Sequence, residues 1–160
     1  MKISLEPITK HNWDQVARLK VSDEQRQFVA DNAYSIAESL FSEHSVARAI
    51  CVGGEPVGFI MYESLAYAGK PREFNIYRLM VGRDFQHCGI GRKGMRLTLD
   101  ALLEQEGARR ITVCYVPGND VASDFYKSLG FREVGVSNAE MVAEIVAETT
   151  TDASSSDLHC

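Results

Sequence analysis

The stretch from Val81 to Gly94, Val-Gly-Arg-Asp-Phe-Gln-His-Cys-Gly-Ile-Gly-Arg-Lys-Gly, constrains this chain more than any other. An apolar run, Phe74 to Val81, leads into it and reads as a strand. Apolar residues at helical spacing, from about Arg92 to Glu106, lead out. A glycine-containing loop between a strand and a helix start is a place to hold phosphate. The first turn of a helix presents unpaired N–H groups and the positive end of the helix dipole. Gly89 and Gly91 permit positive φ and let a ligand approach backbone that a Cβ would shield.

Two nucleotide motifs compete for these residues. Gly89-x-Gly91-x-x-Gly94 has the letters of the dinucleotide fingerprint G-x-G-x-x-G. That fingerprint needs its first glycine close to the strand end and a carboxylate about 20 positions on. Here seven residues separate Val81 from Gly89, and the next strand, Ile111 to Val116, ends in Pro117-Gly118. The dinucleotide oxidoreductase reading is weak on both counts. The second motif is Gln86-x-x-Gly89-x-Gly91, with the strand before it and the helix after it.

With 160 residues, 45% of them hydrophobic, the chain can build one domain with a real core but not comfortably two. Its net charge of −5 argues against non-specific nucleic-acid binding. No apolar run approaches the ~20 residues of a membrane helix. The start, Met-Lys-Ile-Ser-Leu-Glu-Pro, lacks an apolar h-region, so no signal peptide is expected. The four cysteines, Cys51, Cys88, Cys114 and Cys160, form no C-x-x-C pair and no zinc spacing with a histidine. No metal site is expected. A reducing cytoplasm fits this usage best.

Ile3 to Ile8 reads as a strand. Asn12 with Gln15, Ser22 with Gln25 and Ser35 with Glu38 are spaced as helix-start caps. Val46 to Val52 and Pro56 to Glu63 form a hairpin across Gly53-Gly54. Phe74 to Val81 is the fourth strand. The helix after the glycine loop places Met95, Leu99, Leu102 and Leu103 on one face. Ile111 to Val116 is the fifth strand, and Asn119 to Leu129 is a helix stopped by Gly130. Phe131 to Val136 and Met141 to Glu148 close as a pair across Ser137-Asn138. Residues 1–148 read as one domain and the Ser/Thr/Asp-rich Thr149 to Cys160 as a loose tail. The expected class is α+β: a mixed, mostly antiparallel sheet of six to seven strands flanked by helices.

One strand after the glycine loop stands Asn119-x-x-Ala122-x-x-Phe125-Tyr126-x-x-x-Gly130-Phe131. Together with Gln86-x-x-Gly89-x-Gly91, in this order and at this distance, it resembles the two cofactor motifs of the GNAT N-acetyltransferases. The resemblance extends over roughly Met1 to Glu148. Within the family the chain is most similar to bacterial polyamine (spermine/spermidine or diamine) N-acetyltransferases, through Asn32-x-x-Ser35, Gly58-Phe-x-Met61-Tyr62 and Arg78. The resemblance implies acetyl-CoA bound in a cleft where the fourth and fifth strands splay. Backbone of Leu79, Met80 and Val81 would pair with the pantetheine arm. N–H groups from Gln86, His87, Cys88, Gly89, Ile90, Gly91 and Arg92 would cradle the pyrophosphate, and Asn119 would contact the cofactor. A homodimer is the assembly the family suggests.

Acetyl transfer to an amine has three chemical needs. An alkyl amine with a pKa near 10.4 costs about 4.6 kcal/mol to deprotonate at pH 7. The developing oxyanion needs a donor, which the resemblance assigns to the Val81 N–H. The departing thiolate needs a proton, which it assigns to Tyr126. Outside the motif, Tyr126 would read as a core aromatic on an amphipathic helix. Some relatives carry a glutamate base in the fourth strand; Asn75 stands at that position here, so a water-mediated route is expected. Glu63, Glu73 and Tyr77 are nearby alternatives. Cys88 at a helix start has no His/Asn partner set and reads as a loop residue. Asp23, Glu24, Asp31 and Glu63 are the expected cation contacts, chosen for charge and region. The competing classes are an acetyltransferase of a protein N-terminus, a lysine or another small amine, and a non-catalytic acyl-CoA sensor.

Overall fold

The computed structural model describes residues 1–148; the expected tail, 149–160, lies outside the described residues. The first half runs β1 (Ile3–Pro7), α1 (Trp13–Arg18), a 3-10 turn (Asp23–Phe28), α2 (Asn32–Leu40), β2 (Ser45–Val52), β3 (Glu55–Ser64) and β4 (Glu73–Val81). The second half runs α3 (Ile90–Asp100), a π turn (Ala101–Gln105), β5 (Arg110–Tyr115), α4 (Asp120–Ser128), β6 (Arg132–Ser137) and β7 (Glu140–Val146). The seven strands form one sheet in the order β1-β2-β3-β4-β5-β7-β6. Among the described residues only β4 and β5 pair in parallel. The mixed α+β class read from the sequence is the one found.

Each face of the sheet is covered. The larger core packs Met95, Leu99 and Leu102 of the α3 region, with Tyr126 of α4, onto Ile50, Ile60, Ile76, Ile111 and Val113. The smaller core sets Val16 of α1 and Ile36 of α2 against Phe59, Met61 and Met80. Burial of each such large apolar side chain contributes roughly 1.5–3 kcal/mol.

One irregularity in β4 shapes everything that follows. Met61 pairs with Arg78 and Tyr62 pairs with Ile76, so Tyr77 is an extra residue bulged from the ladder. A bulge bends its strand and resets its side-chain alternation. Phe74 and Ile76 therefore share a core with Leu79 and Val81, although their spacing is odd. The parallel pairing with β5 ends at Ile76 and Val113, immediately before the bulge. Beyond that point β4 and β5 diverge.

The bulge is braced from β2 and α2. Tyr77 hydrogen-bonds Ser45 at 2.8 Å. Arg78 donates to the Ser35 hydroxyl and to Glu38, both at 3.3 Å. The Asn32 amide donates to the Val16 carbonyl at 3.0 Å and also meets the Met80 sulfur. Gly58 faces the same segment from β3. A Cβ there would lie 2.7 Å from the Met80 carbonyl oxygen. Gly58→Ala must force β3 and β4 apart, and overpacking of this kind costs about 1–3 kcal/mol. The expected result is a drop of roughly 3–10 °C in the calorimetric melting temperature; a change under one degree would mean the two strands have slack.

The helix starts differ from the expected caps. Helix α2 opens at Asn32, because the Asp31 carboxylate accepts the Ala33 N–H at 2.8 Å. Asp caps as well as Ser, so Ser35 is left buried inside the helix. Asn12 precedes α1 but serves the turn before it: it accepts from the Thr9 N–H at 2.7 Å and donates to the Pro7 carbonyl at 2.9 Å. Ser22 makes no side-chain cap and precedes only a 3-10 turn. The helix after the glycine loop starts at Ile90 and passes into the π turn at Ala101. Gly53 and Gly54, with φ of 56° and 87°, make the expected hairpin turn. The last hairpin turns at Asn138 and Ala139, one residue later than expected, with φ of 50° and 64°.

Candidate active site

The divergence of β4 and β5 opens a cleft of about 1020 Å³. One wall is β4 with the glycine loop and the start of α3, a second is α4, and a third is the 3-10 turn Asp23–Phe28. The volume is at the upper end of the range for ligand sites.

The β4 wall offers its main chain. The Gly82 N–H donates to the Val57 carbonyl at 2.8 Å, so Val81 and Gly58 form a non-hydrogen-bonded pair. The peptide groups of Leu79 and Val81 therefore point away from β3, toward the gap left by β5. The alternation leaves a strand edge to which an extended ligand can add. The Val81 carbonyl, facing that gap, receives the side-chain amide of Gln86 at 2.9 Å.

The loop that follows is contorted. His87 has φ of 62° and Gly89 of 78°. A positive φ at a residue other than glycine costs of order 1–3 kcal/mol and persists where its surroundings enforce it. Gly89 is the N-cap of α3, and its carbonyl accepts the Lys93 N–H at 3.0 Å. The N–H groups of Ile90, Gly91 and Arg92 precede the first such donor, which leaves them without helical partners at the cleft. A Cβ on Gly91 would meet only Val81 Cγ2 at 3.4 Å and Phe125 Cζ at 3.9 Å. Arg92 joins the two helices: its guanidinium donates to Ser128 Oγ at 2.6 Å and stands 5.8 Å over the Phe125 ring.

The second motif has a physical basis in α4. Asn119 caps the helix, accepting the Ala122 N–H at 3.1 Å. At the other end the Gly130 N–H reaches the Lys127 carbonyl and the Phe131 N–H reaches the Tyr126 carbonyl, both near 3 Å. With φ of 101° at Gly130, this is a Schellman stop. It folds Phe131 back onto Tyr126, ring centroids 5.6 Å apart. Phe125 and Tyr115 enclose the same ring at 5.3 and 5.6 Å. Tyr115 is itself anchored, donating its hydroxyl to Glu133, which also accepts from Ser123 at 2.8 Å. Tyr126 lines the cleft with its ring held on three sides. Burial, followed by the proximity of Tyr115 and Cys114, pushes its phenol above the ordinary tyrosine pKa. It stays a proton donor throughout the neutral range.

Of the expected cofactor residues, Leu79, Met80, Val81, Gln86, His87, Gly89, Ile90, Gly91, Arg92, Asn119 and Tyr126 all line this cleft. Cys88 is in the loop but exposed, its thiol turned to the Gln86 carbonyl at 3.4 Å. The four expected cation contacts do not converge. Glu24 is on the third wall and is the one carboxylate among the described lining residues. Asp23 pairs with Arg26 at 3.1 Å, away from the lining. Asp31 caps α2 and holds Lys20 at 2.6 Å, contacts that keep its carboxyl below the usual range. Glu63 receives the Tyr67 hydroxyl at 3.4 Å, outside the cleft.

The strand positions weighed as a base are occupied otherwise. Asn75 takes the Thr112 hydroxyl at 2.9 Å, Glu73 pairs with Arg110 at 3.1 Å, and Tyr77 is bonded to Ser45. Of the third wall, Val21, Gln25, Phe28 and Val29 were not picked out from the sequence, which pointed only to Glu24. Their only signal there is a short apolar spacing around a candidate cap.

The profile of the Acetyltransferase (GNAT) family matches residues 11–131. No curated protein sequence matches the chain. Among solved structures, an acetyltransferase from Thermus thermophilus superposes with a TM-score of 0.70 at 16% identity, over 92% of this chain and 98% of its own. PaiA N-acetyltransferase from Thermoplasma acidophilum, solved in complex with coenzyme A, gives 0.69 at 16% identity, over 92% of this chain and all of its own. The residues of the cleft fit that kind of ligand: an open strand edge for an extended arm, and unpaired helix-start N–H groups with a glycine for a pyrophosphate. The chain belongs to the acetyltransferase (GNAT) family, enzymes whose acyl donor is acetyl-CoA.

Proposed function

We propose that the enzyme acetylates a primary amine of a small polyamine or diamine, by direct attack of the bound amine on the thioester. One observation carries the chemistry: the Val81 edge and Tyr126 face the same cleft. Leu79 and Val81 hold the extended arm through their main chain. The N–H groups at the start of α3 hold the pyrophosphate, with Asn119 and Arg92 beside it. As the amine nitrogen bonds the acyl carbon, the Val81 N–H receives the carbonyl oxygen. As the carbon–sulfur bond breaks, Tyr126 gives its phenolic proton to the sulfur and recovers one from solvent. The amine's own proton leaves through water, since Asn75 supplies no carboxylate.

The acceptor class rests on the sequence resemblance and on Glu24, which gives the acceptor wall a negative charge. Cys51, Cys88 and Cys114 are free thiols, which suits the reducing cytoplasmic setting included in this reading. A homodimer is the assembly to test by sedimentation.

Free-thiol release from acetyl-CoA, measured over spermine, spermidine, putrescine, amino acids and short peptides, tests the proposal directly. Release with the di- and polyamines is the expected result. Release with peptides alone would move the acceptor to a polypeptide N-terminus or lysine. Tight CoA binding with no release would make the protein a sensor. Glu24→Gln is expected to raise the KM for the amine about threefold, the scale of an exposed ion pair. The effect should shrink at high salt, with kcat unchanged. An unaltered KM would remove Glu24 from the acceptor site.

A further inference from the structure

The side chain of Gln86 has a task separate from the main-chain cradle. Its Nε2 carries two protons and both are used: one goes to the Val81 carbonyl at 2.9 Å, the other to Gln25 Oε1 at 2.8 Å. A carbonyl accepts and never donates, so its contact fixes which end of the amide faces Val81. Gln25 is on the 3-10 turn Asp23–Phe28, a segment without one buried residue, and it lines the cleft beside Glu24.

The bond to Val81 matters because of strand geometry. A residue's N–H and C=O leave an extended strand on the same side. The bare Val81 carbonyl would therefore present its negative end close to where its N–H meets a developing oxyanion. An amide donor on that carbonyl offsets the dipole and fixes the peptide plane. Building on the Val81 role assigned above, we propose that Gln86 is a positioning residue: it caps the Val81 carbonyl so that the oxyanion site presents only its N–H. Through its second proton it also ties the acceptor wall to that site.

The test uses the full chain and five variants. Gln86→Met keeps the length and loses both donors. It is expected to lower kcat about tenfold with CoA affinity within threefold, because the cradle is made of backbone. Gln86→Glu, which sets a carboxylate against the carbonyl, should lose more. Gln25→Met should leave kcat within threefold and raise the amine KM, and Gln25→Glu, which still accepts the proton, should not raise the amine KM, its added charge acting in the same direction as that of Glu24. A kcat for Gln86→Met within twofold of wild type would overturn the positioning role.

A second arm needs no turnover. Removing a donor from the Val81 carbonyl should shift the Gly82 backbone nitrogen resonance, since both atoms belong to one peptide. Amide exchange across 23–28 should also quicken in Gln86→Met and Gln25→Met. Unchanged Gly82 resonance and unchanged exchange would overturn the inference even in a protein that acetylates nothing, which separates its failure from failure of the amine acetyltransferase reading. Should Gln86→Met not fold, the contrast between Gln25→Met and Gln25→Glu in KM and exchange decides the tether, and the milder Gln86→Asn, too short to reach Val81, decides the cap.

Discussion

Tyr126→Phe is expected to lower kcat by about 10²- to 10³-fold while CoA binds within twofold of wild type. The size is that of one well-placed general acid. The substitution removes a single oxygen from a ring held by Tyr115, Phe125 and Phe131, so the packing that positions it is retained. Affinity should survive because the cradle and the strand edge are main chain. The pH profile gives an independent reading. Desolvation raises the Tyr126 pKa above its ordinary value near 10. The protonated form is the donor, so a raised pKa extends its working range upward. Turnover should rise with pH as the amine loses its proton, with no falling limb from this phenol up to about pH 10. A falling limb near pH 9 that vanishes in Tyr126→Phe would mean the phenol titrates low. An unchanged kcat in the variant would remove the acid role, and water would then protonate the sulfur.

The cofactor side of this site was legible in the sequence because its chemistry is written in local backbone requirements. Gly89 is needed for a positive φ at a helix start, and Gly130 for the stop that folds Phe131 onto Tyr126. Asn119 caps its own helix. Each requirement is satisfied within a few residues, so spacing alone conveys it. The acceptor side depends on pairings distant in sequence, which spacing does not convey. Asp31 has the charge of a cation contact, but its oxygens are taken by Ala33 and Lys20. Asn32, Ser35 and Arg78, three of the residues behind the polyamine resemblance, brace the bulged strand to its neighbours. The bulge at Tyr77 is hidden for the same reason. It exists only in the register of β4 against β3, and it is what bends β4 clear of β5. The Gln86–Gln25 contact spans 61 positions and links two loops that no periodicity connects.

Gly91→Val should separate binding from folding more cleanly than any other change to the cradle. Gly89 is a poor choice, because its φ of 78° penalises any side chain whether or not a ligand binds. Gly91 has helical φ, and a Cβ there meets its nearest neighbour at 3.4 Å, an ordinary contact. Valine is also the better helix former of the two. The melting temperature of the free protein should therefore stay within about 2 °C of wild type. The branched side chain nevertheless occupies the space a pyrophosphate would use to reach the first N–H groups of α3. Losing two charge-assisted hydrogen bonds of about 1.5 kcal/mol each raises the CoA dissociation constant roughly 100-fold. Thermal shift makes the contrast visible. At a CoA concentration 100 times the wild-type dissociation constant, binding stabilises the wild-type enzyme by about 2.7 kcal/mol. The variant at the same concentration gains only about 0.4 kcal/mol. For a chain of this size that is a rise of roughly 5–10 °C against one of about 1 °C. A full shift in the variant would move the pyrophosphate away from the start of α3. A variant that melts early without ligand would instead show that Gly91 is needed by the packing of Val81 and Phe125.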